Sequence, residues 1–201
     1  MMHPFQQTYT EELLVYRNFI DIDQQGLINI LSWRNRVEVR KWMKSVEEIP
    51  IEQHLKYCAE LKDKTDRGHW VIEENGRALG VININQYFEV DNSCEWGFYL
   101  NPVYTMGDTM LKVFYYSQHL LFDYLNTHRL IGKVKLDNKG AILLNDFLGM
   151  REVDKEIIDN SLYSLREQFK EDWTNKRPNI EGLSGAFVTY ILSIRNNKNH
   201  V

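Results

Sequence analysis

A glycine-centred turn between a predicted strand and a predicted helix is the strongest candidate for chemistry in this sequence. The strand is predicted over Ser93–Asn101 and the helix over Gly107–Leu125. The first N–H groups of such a helix have no partner within it and lie at the positive end of its dipole. Gly107 allows close approach of a ligand because it carries no Cβ atom. The turn predicts a pyrophosphate site built from backbone amides; the alternative is an ordinary helix cap at Asp108 or Thr109.

A second strand and helix follow the first along the chain. The strand is predicted over Arg129–Lys135 and the helix over Lys139–Leu148, with Gly149 as its stop signal. Asn138 precedes the helix and is followed three residues later by Ala141. Together with the strand-rich stretch upstream, these elements predict an α/β or α+β domain around one mixed sheet.

In this order and spacing, the two units resemble the GNAT superfamily of acetyltransferases. Its members carry a Q/R-x-x-G-x-G/A turn, matched here by residues 104–109, then N-x-x-A, matched by Asn138 and Ala141, and a closing element matched by 145–150. Tyr104 stands where Gln or Arg is usual, and the turn is one residue short. The resemblance implies the GNAT fold: a single mixed, mostly antiparallel sheet flanked by helices, with two splayed parallel central strands.

The resemblance implies acetyl-CoA as the acetyl donor, bound between the two splayed strands. The pantetheine arm extends the first strand by backbone hydrogen bonds, the pyrophosphate lies on amides at the start of the helix, and an asparagine contacts the arm. These positions are Phe98, Tyr99 and Leu100 for the arm, Met106, Gly107, Asp108, Thr109 and Met110 for the pyrophosphate, and Asn138 for the last contact. The resemblance implies no metal ligand.

The catalytic residues are also inferred from the resemblance. Direct acetyl transfer needs an unprotonated amine, a polarised thioester carbonyl and a proton for the departing thiolate. Glu95 is the predicted general base; the alternative is an outward-facing polar residue of an alternating strand. Asp137 is a second candidate base and a candidate helix cap. Asn145 replaces the tyrosine acid of many members, so it either stabilises the thiolate by a hydrogen bond, or water or another tyrosine supplies the proton.

Aromatic, basic and methionine residues in the N-terminal third form the candidate acceptor site. They are Trp33, Arg34, Arg40, Trp42 and Met43. Arginines pair with nucleotide phosphates, and large apolar side chains stack on a base or a sugar. The arrangement resembles the acetyltransferases of pseudaminic-acid biosynthesis, which act on the 4-amino group of a UDP-linked amino-sugar. The alternative is a set of core anchors with solvated charges.

Three other functions stay open. A peptide or ribosomal-protein N-terminal acetyltransferase is one, because members of that group carry a similar R-N-x-x-x-V-R-x-W-M segment. A polyamine acetyltransferase is another, in which acidic residues would dominate the acceptor pocket. A non-catalytic acyl-CoA-binding module is the third, because Asn145 replaces the usual acid.

Composition restricts the classes of partner. The 201 residues are 43% hydrophobic and carry a net charge of −4 with dispersed basic residues, which argues against nucleic acid. No apolar run reaches the roughly 20 residues that span a bilayer. We therefore expect a cytoplasmic protein with no membrane partner. The resemblance implies a small-molecule amine as acceptor, and a homodimer stays open. Cys58 and Cys94 are expected to be buried free thiols.

The chain is expected to form one acetyltransferase domain. Its parts are a cofactor-binding core over about 70–150, acceptor-side helices over about 23–64, a helical insertion over about 160–184 with its helix at Leu162–Trp173, and a final strand over 186–194.

Overall fold

One β-sheet and the helices on its two faces build the fold. The structure is a computed structural model that describes residues 2–104 and 109–181, with side chains to residue 176. The strands are β1 (Tyr9–Glu11), β2 (Leu14–Asn18), β3 (Gly68–Glu74), β4 (Arg77–Phe88), β5 (Ser93–Leu100), β6 (Arg129–Lys135), β7 (Arg151–Ile158) and β8 (Ser161–Phe169). The helices are α1 (Gln24–Arg34), α2 (Val37–Arg40), α3 (Ile51–Glu60), α4 (Thr109–His119), which a π-helix at Leu120–Tyr124 continues, α5 (Lys139–Leu148) and α6 (Lys170–Glu181).

The strands follow the order β1-β2-β3-β4-β5-β6-β8-β7 in the sheet. All neighbours are antiparallel except β5 and β6, which run parallel. Their pairing is short, because it joins residues 93–95 only to residues 129–131, whereas β5 stays paired with β4 as far as Leu100. The predicted mixed, mostly antiparallel sheet with two splayed parallel central strands is confirmed.

Side chains on the two faces of the sheet pack into two separate cores. Cys94 and Trp96 of β5 enter the larger core, where Trp96 packs edge-on against Phe114 of α4 with ring centroids 5.1 Å apart. Tyr99 packs against the smaller core, to which α1 and α3 contribute. Because side chains alternate along a strand, Glu95 lies on the same sheet face as Tyr99. That face carries the N-terminal helices predicted to hold the acceptor.

The helix predicted over Leu162–Trp173 is wrong for most of its length. Residues 161–169 form β8, which inserts between β6 and β7, and only α6 is helical. The inward residues of β8 include the polar side chains Ser164, Arg166 and Gln168, which are buried. A strand whose buried face is polar lacks the apolar alternation that marks a strand in a sequence. The predicted final strand at 186–194 lies outside the described residues.

Hydrogen bonds satisfy much of this buried polar face. The Arg166 guanidinium donates to the Met150 carbonyl at 2.8 Å and forms an ion pair with Asp146 of α5. The Gln168 amide donates to the Leu148 carbonyl at 2.9 Å. Since buried polar groups are stable only when they are paired, these contacts attach the C-terminal end of α5 to the sheet. The position of α5 on the sheet therefore depends on β8.

Candidate active site

The cleft between β5 and β6 begins directly after Glu95. Glu95 is opposite Ile131 and is the last β5 residue that pairs with β6. Among the described strands, none pairs with the β6-facing side of β5 from Trp96 to Leu100. A free strand edge presents alternating N–H and C=O groups. The amides of a pantetheine arm match such groups, so the residues present fit acetyl-CoA.

The strand exit beside this cleft is held by a buried asparagine. Asn101 donates through Nδ2 to the Ala78 carbonyl at 2.9 Å, and its Oδ1 accepts from the Val103 N–H at 3.1 Å. The chain then enters a 3-10 turn at Pro102–Tyr104. Met106, Gly107 and Asp108 lie outside the described residues, so their predicted role stays a prediction. The helix itself is present and begins, as α4, at Thr109.

Asn138 and Asn145 both lie on α5. Asn138 is the N-cap, and its Oδ1 accepts from the Ala141 N–H at 3.2 Å. The alternative in which Asp137 caps the helix is therefore wrong. Asn145 is buried, and its Nδ2 donates to the Ala141 carbonyl at 2.6 Å. One N–H of the Asn145 amide is thus used within the helix, and the other is the only one left to serve a ligand.

Glu95 is paired with a lysine that the sequence did not single out. The Lys133 ammonium of β6 lies 3.4 Å from Glu95 Oε2. Lys135, two residues further along β6, donates to the Lys41 carbonyl at 2.8 Å. Alternation along the predicted strand was the available signal, because it places Ile131, Lys133 and Lys135 on one face.

Arg34 and Arg40 hold the segment between α2 and α3. Arg34 Nη2 donates to the Ser45 carbonyl and Arg40 Nη1 to the Val46 carbonyl, each at 2.9 Å. Arg34 Nη1 and Arg40 Nε are buried and have no acceptor among the described residues. Burial lowers the pKa of Arg34; the nearby Tyr99 opposes this shift, and Arg40 adds to it. Arg40 Nη2 also forms an ion pair with Glu48 at 3.5 Å, so each guanidinium keeps one buried nitrogen without an acceptor in the described part of the chain.

The remaining predicted acceptor residues differ in their surroundings. Trp33 packs against the smaller core, as the alternative of a core anchor predicted. Trp42 is half-buried, with the Lys41 ammonium 4.9 Å from its ring centroid. Met43 is half-buried as well. Because Lys135 binds the Lys41 carbonyl, the Trp42 segment lies at the end of β6, next to the cleft.

This combination of a splayed parallel pair, a helix after each of its strands and a second group of helices over one face defines an acetyltransferase fold. Residues 14–151 match the acetyltransferase (GNAT) domain family, so the chain belongs to that family. The predicted family is confirmed. The protein is therefore an N-acetyltransferase, and acetyl-CoA is its acetyl donor, supplying the acetyl group as an activated thioester.

Individual relatives add detail. The chain is 25% identical over 134 residues to acetyltransferase PseH of Campylobacter jejuni, which covers 66% of this chain and 81% of that protein. The fold of this chain is similar to that of spermidine N-acetyltransferase of Vibrio cholerae in complex with CoA and spermine. The TM-score is 0.71 at 14% identity, and the match covers 82% of this chain and 99% of that chain. A dodecameric form of the Vibrio cholerae enzyme gives a TM-score of 0.65, 16% identity and coverage of 83% and 99%.

Across residues 2–104 and 109–181, every helix is too short or too polar to span a membrane.

Proposed function

We propose that this enzyme acetylates a primary amine on a nucleotide-linked 4-amino-sugar. The observation that carries the proposal is the pair of guanidinium groups at the acceptor side, Arg34 and Arg40. Each has a buried nitrogen without an acceptor in the described part of the chain. Phosphate oxygens are strong acceptors for such groups. The similarity to PseH supports the same acceptor class.

The charge of the acceptor face favours this choice over a polyamine. Arg34, Arg40 and Lys135 all lie at the acceptor side of the sheet, where, among the described residues, Glu48 pairs with Arg40 alone of the three. A polyamine carries several positive charges and would be repelled by these groups. A nucleotide-linked amine instead brings phosphates to them. A peptide N-terminus also brings one positive charge and no phosphate, so it is disfavoured as well.

The proton transfers that the reaction needs suggest roles for Glu95 and Asn145. A bond forms between the amine nitrogen and the acetyl carbon, and the carbon–sulfur bond breaks. An ammonium acceptor first loses one proton, which Glu95 accepts, directly or through water, and the free amine nitrogen loses a second proton as the amide forms. Sulfur gains one proton in turn, and Asn145 can only donate a hydrogen bond to it. The proton on sulfur therefore comes from water or from another side chain.

An amine panel tests the proposed acceptor. Release of free CoA thiol from acetyl-CoA would be followed with a UDP-linked 4-amino-sugar, spermidine and a peptide with a free N-terminus. We expect turnover with the nucleotide-sugar and at least about 100-fold lower kcat/KM with the other two, because they lack phosphates. Faster turnover of spermidine or the peptide would overturn the proposal. Tight acetyl-CoA binding without turnover of any amine would instead identify a binding module.

Replacement of Arg34 by methionine is expected to weaken binding of the nucleotide part of the acceptor. One charge-assisted hydrogen bond is lost, so KM for the UDP-amino-sugar should rise about 30-fold, with kcat and KM for acetyl-CoA nearly unchanged. Steady-state kinetics check both values. UDP alone, used as a competitive inhibitor, should lose affinity by a similar factor.

The matched control is Arg77→Met, because Arg77 is an exposed arginine at the start of β4. It should leave all three constants unchanged. A larger KM for acetyl-CoA in Arg34→Met, with unaltered inhibition by UDP, would contradict a phosphate contact at Arg34.

A further inference from the structure

A lysine on β6 bridges two carboxylates that come from different strands. The Lys133 ammonium lies 3.4 Å from an oxygen of Glu95 on β5 and 3.4 Å from an oxygen of Glu156 on β7. β7 is not a neighbour of β6, because β8 lies between them. A single side chain therefore connects the strand that opens the cleft with the edge of the sheet.

The bridge is located where the parallel strands separate. Glu95 forms the last pair of the β5–β6 register with Ile131, and Lys133 follows on the same sheet face. If the register continued, Gly97 would be opposite Lys133. A Cβ atom at Gly97 would find its nearest neighbours in the Asn83 amide, 3.6 Å away. Gly97 thus adds no side chain to this face of β5 beyond Glu95, and the Lys133 ammonium extends to Glu95.

The exposure of these groups indicates that the bridge contributes little to folding. The side chains of Lys133, Glu95 and Glu156 are 30%, 28% and 51% exposed. Ion pairs that are this exposed are screened by solvent and add little stability. Burial acts to lower the pKa of Lys133, but the two carboxylates outweigh it and the pKa is raised. Lys133 is thus a permanent cation at neutral pH.

We propose that Lys133 is a positioning residue that holds the Glu95 carboxylate in one orientation, and that Glu156 fixes the lysine from the other side. This inference rests on the proposed role of Glu95 as the base. A glutamate side chain has several rotamers, and an ion pair selects among them. Correct orientation of a base raises turnover of bound substrate more than it raises affinity.

Substitutions at Lys133 separate this role from a contact with the acceptor. Lys133→Met should lower kcat about 10-fold with both KM values within about threefold, and Lys133→Arg should restore most of the rate. Glu156→Gln should cause a smaller loss of kcat. The control is Lys155→Met, which removes an exposed lysine paired with Glu152 on β7 and should behave as wild type. A rise in acceptor KM at constant kcat would overturn the proposal, because it would place Lys133 on the acceptor.

A double-mutant cycle with Glu95 provides the decisive readout. Glu95→Gln combined with Lys133→Met should be no slower than Glu95→Gln alone, because a positioning residue has no effect once its target is gone. If the double variant instead shows the product of the two single-variant losses in kcat, the inference is overturned and the role of Glu95 stays intact. If Glu95→Gln is as active as wild type, or no amine is turned over, the proposed function fails and the inference with it.

Discussion

Glu95→Gln is expected to lower kcat about 100-fold near about pH 7 and less than about fivefold near about pH 9.5. Glutamine has nearly the same shape as glutamate, and its amide oxygen can still accept a hydrogen bond from Lys133, but it cannot accept a proton. At high pH the acceptor amine is already unprotonated, so a base is less needed. Initial rates over this pH range, measured with saturating acetyl-CoA, give the comparison directly.

Glu89→Gln is the matched control, because Glu89 is an exposed carboxylate just before β5. It should follow the wild-type curve at every pH. Equal losses for Glu95→Gln at both pH values would remove Glu95 as the base and assign it a packing or electrostatic role. A normal rate at both would identify it as an outward-facing strand residue.

Gly80→Ala is expected to impair acetyl-CoA binding from a distance. Gly80 of β4 pairs with Leu100, and a Cβ atom there would lie 2.6 Å from the Tyr99 carbonyl oxygen and 3.3 Å from the Leu100 Cα atom. Both neighbours are backbone atoms, which cannot rotate away as a side chain would. The end of β5 must therefore shift, and this is the edge that the donor is predicted to use.

We expect Gly80→Ala to lower the free energy of unfolding by about 2 kcal/mol and to weaken CoA binding about 10-fold. Urea denaturation and calorimetric titration with CoA measure the two effects. Gly140→Ala is the control for stability, since nothing lies within 4 Å of the added atom at that helical position. Native CoA affinity in folded Gly80→Ala would show that the backbone of residues 99–100 does not contact the donor.

Much of the fold was predictable because the core elements carry conventional signals. The strand before Pro102, the helix after it and the Asn138-capped α5 each have a boundary residue whose conformational preference can be read locally. The splay of β5 and β6 followed from the resemblance to the GNAT superfamily, not from local signals. Residues 106–108 carry the most specific part of the predicted donor site, and their role stays a prediction.

Elements with buried polar faces could not be predicted from the sequence. Ser164, Arg166 and Gln168 lie inward on β8, and their burial depends on partners in α5 and on β7. Such partners are distant in sequence, so no local pattern of residues predicts them. The same holds for Lys133. Its two carboxylates lie on β5 and β7, and they come close to Lys133 only because β8 lies between β6 and β7 in the sheet.

In the proposed sites, Tyr99 would contact the two substrates through different parts of the same residue. Its main chain belongs to the free edge of β5, whereas its side chain packs among the N-terminal helices, and burial raises the pKa of its hydroxyl group. Donor recognition by peptide groups tolerates many side chains. With these sites, a change of the Tyr99 side chain would alter the acceptor pocket, whereas the backbone contacts to CoA would persist.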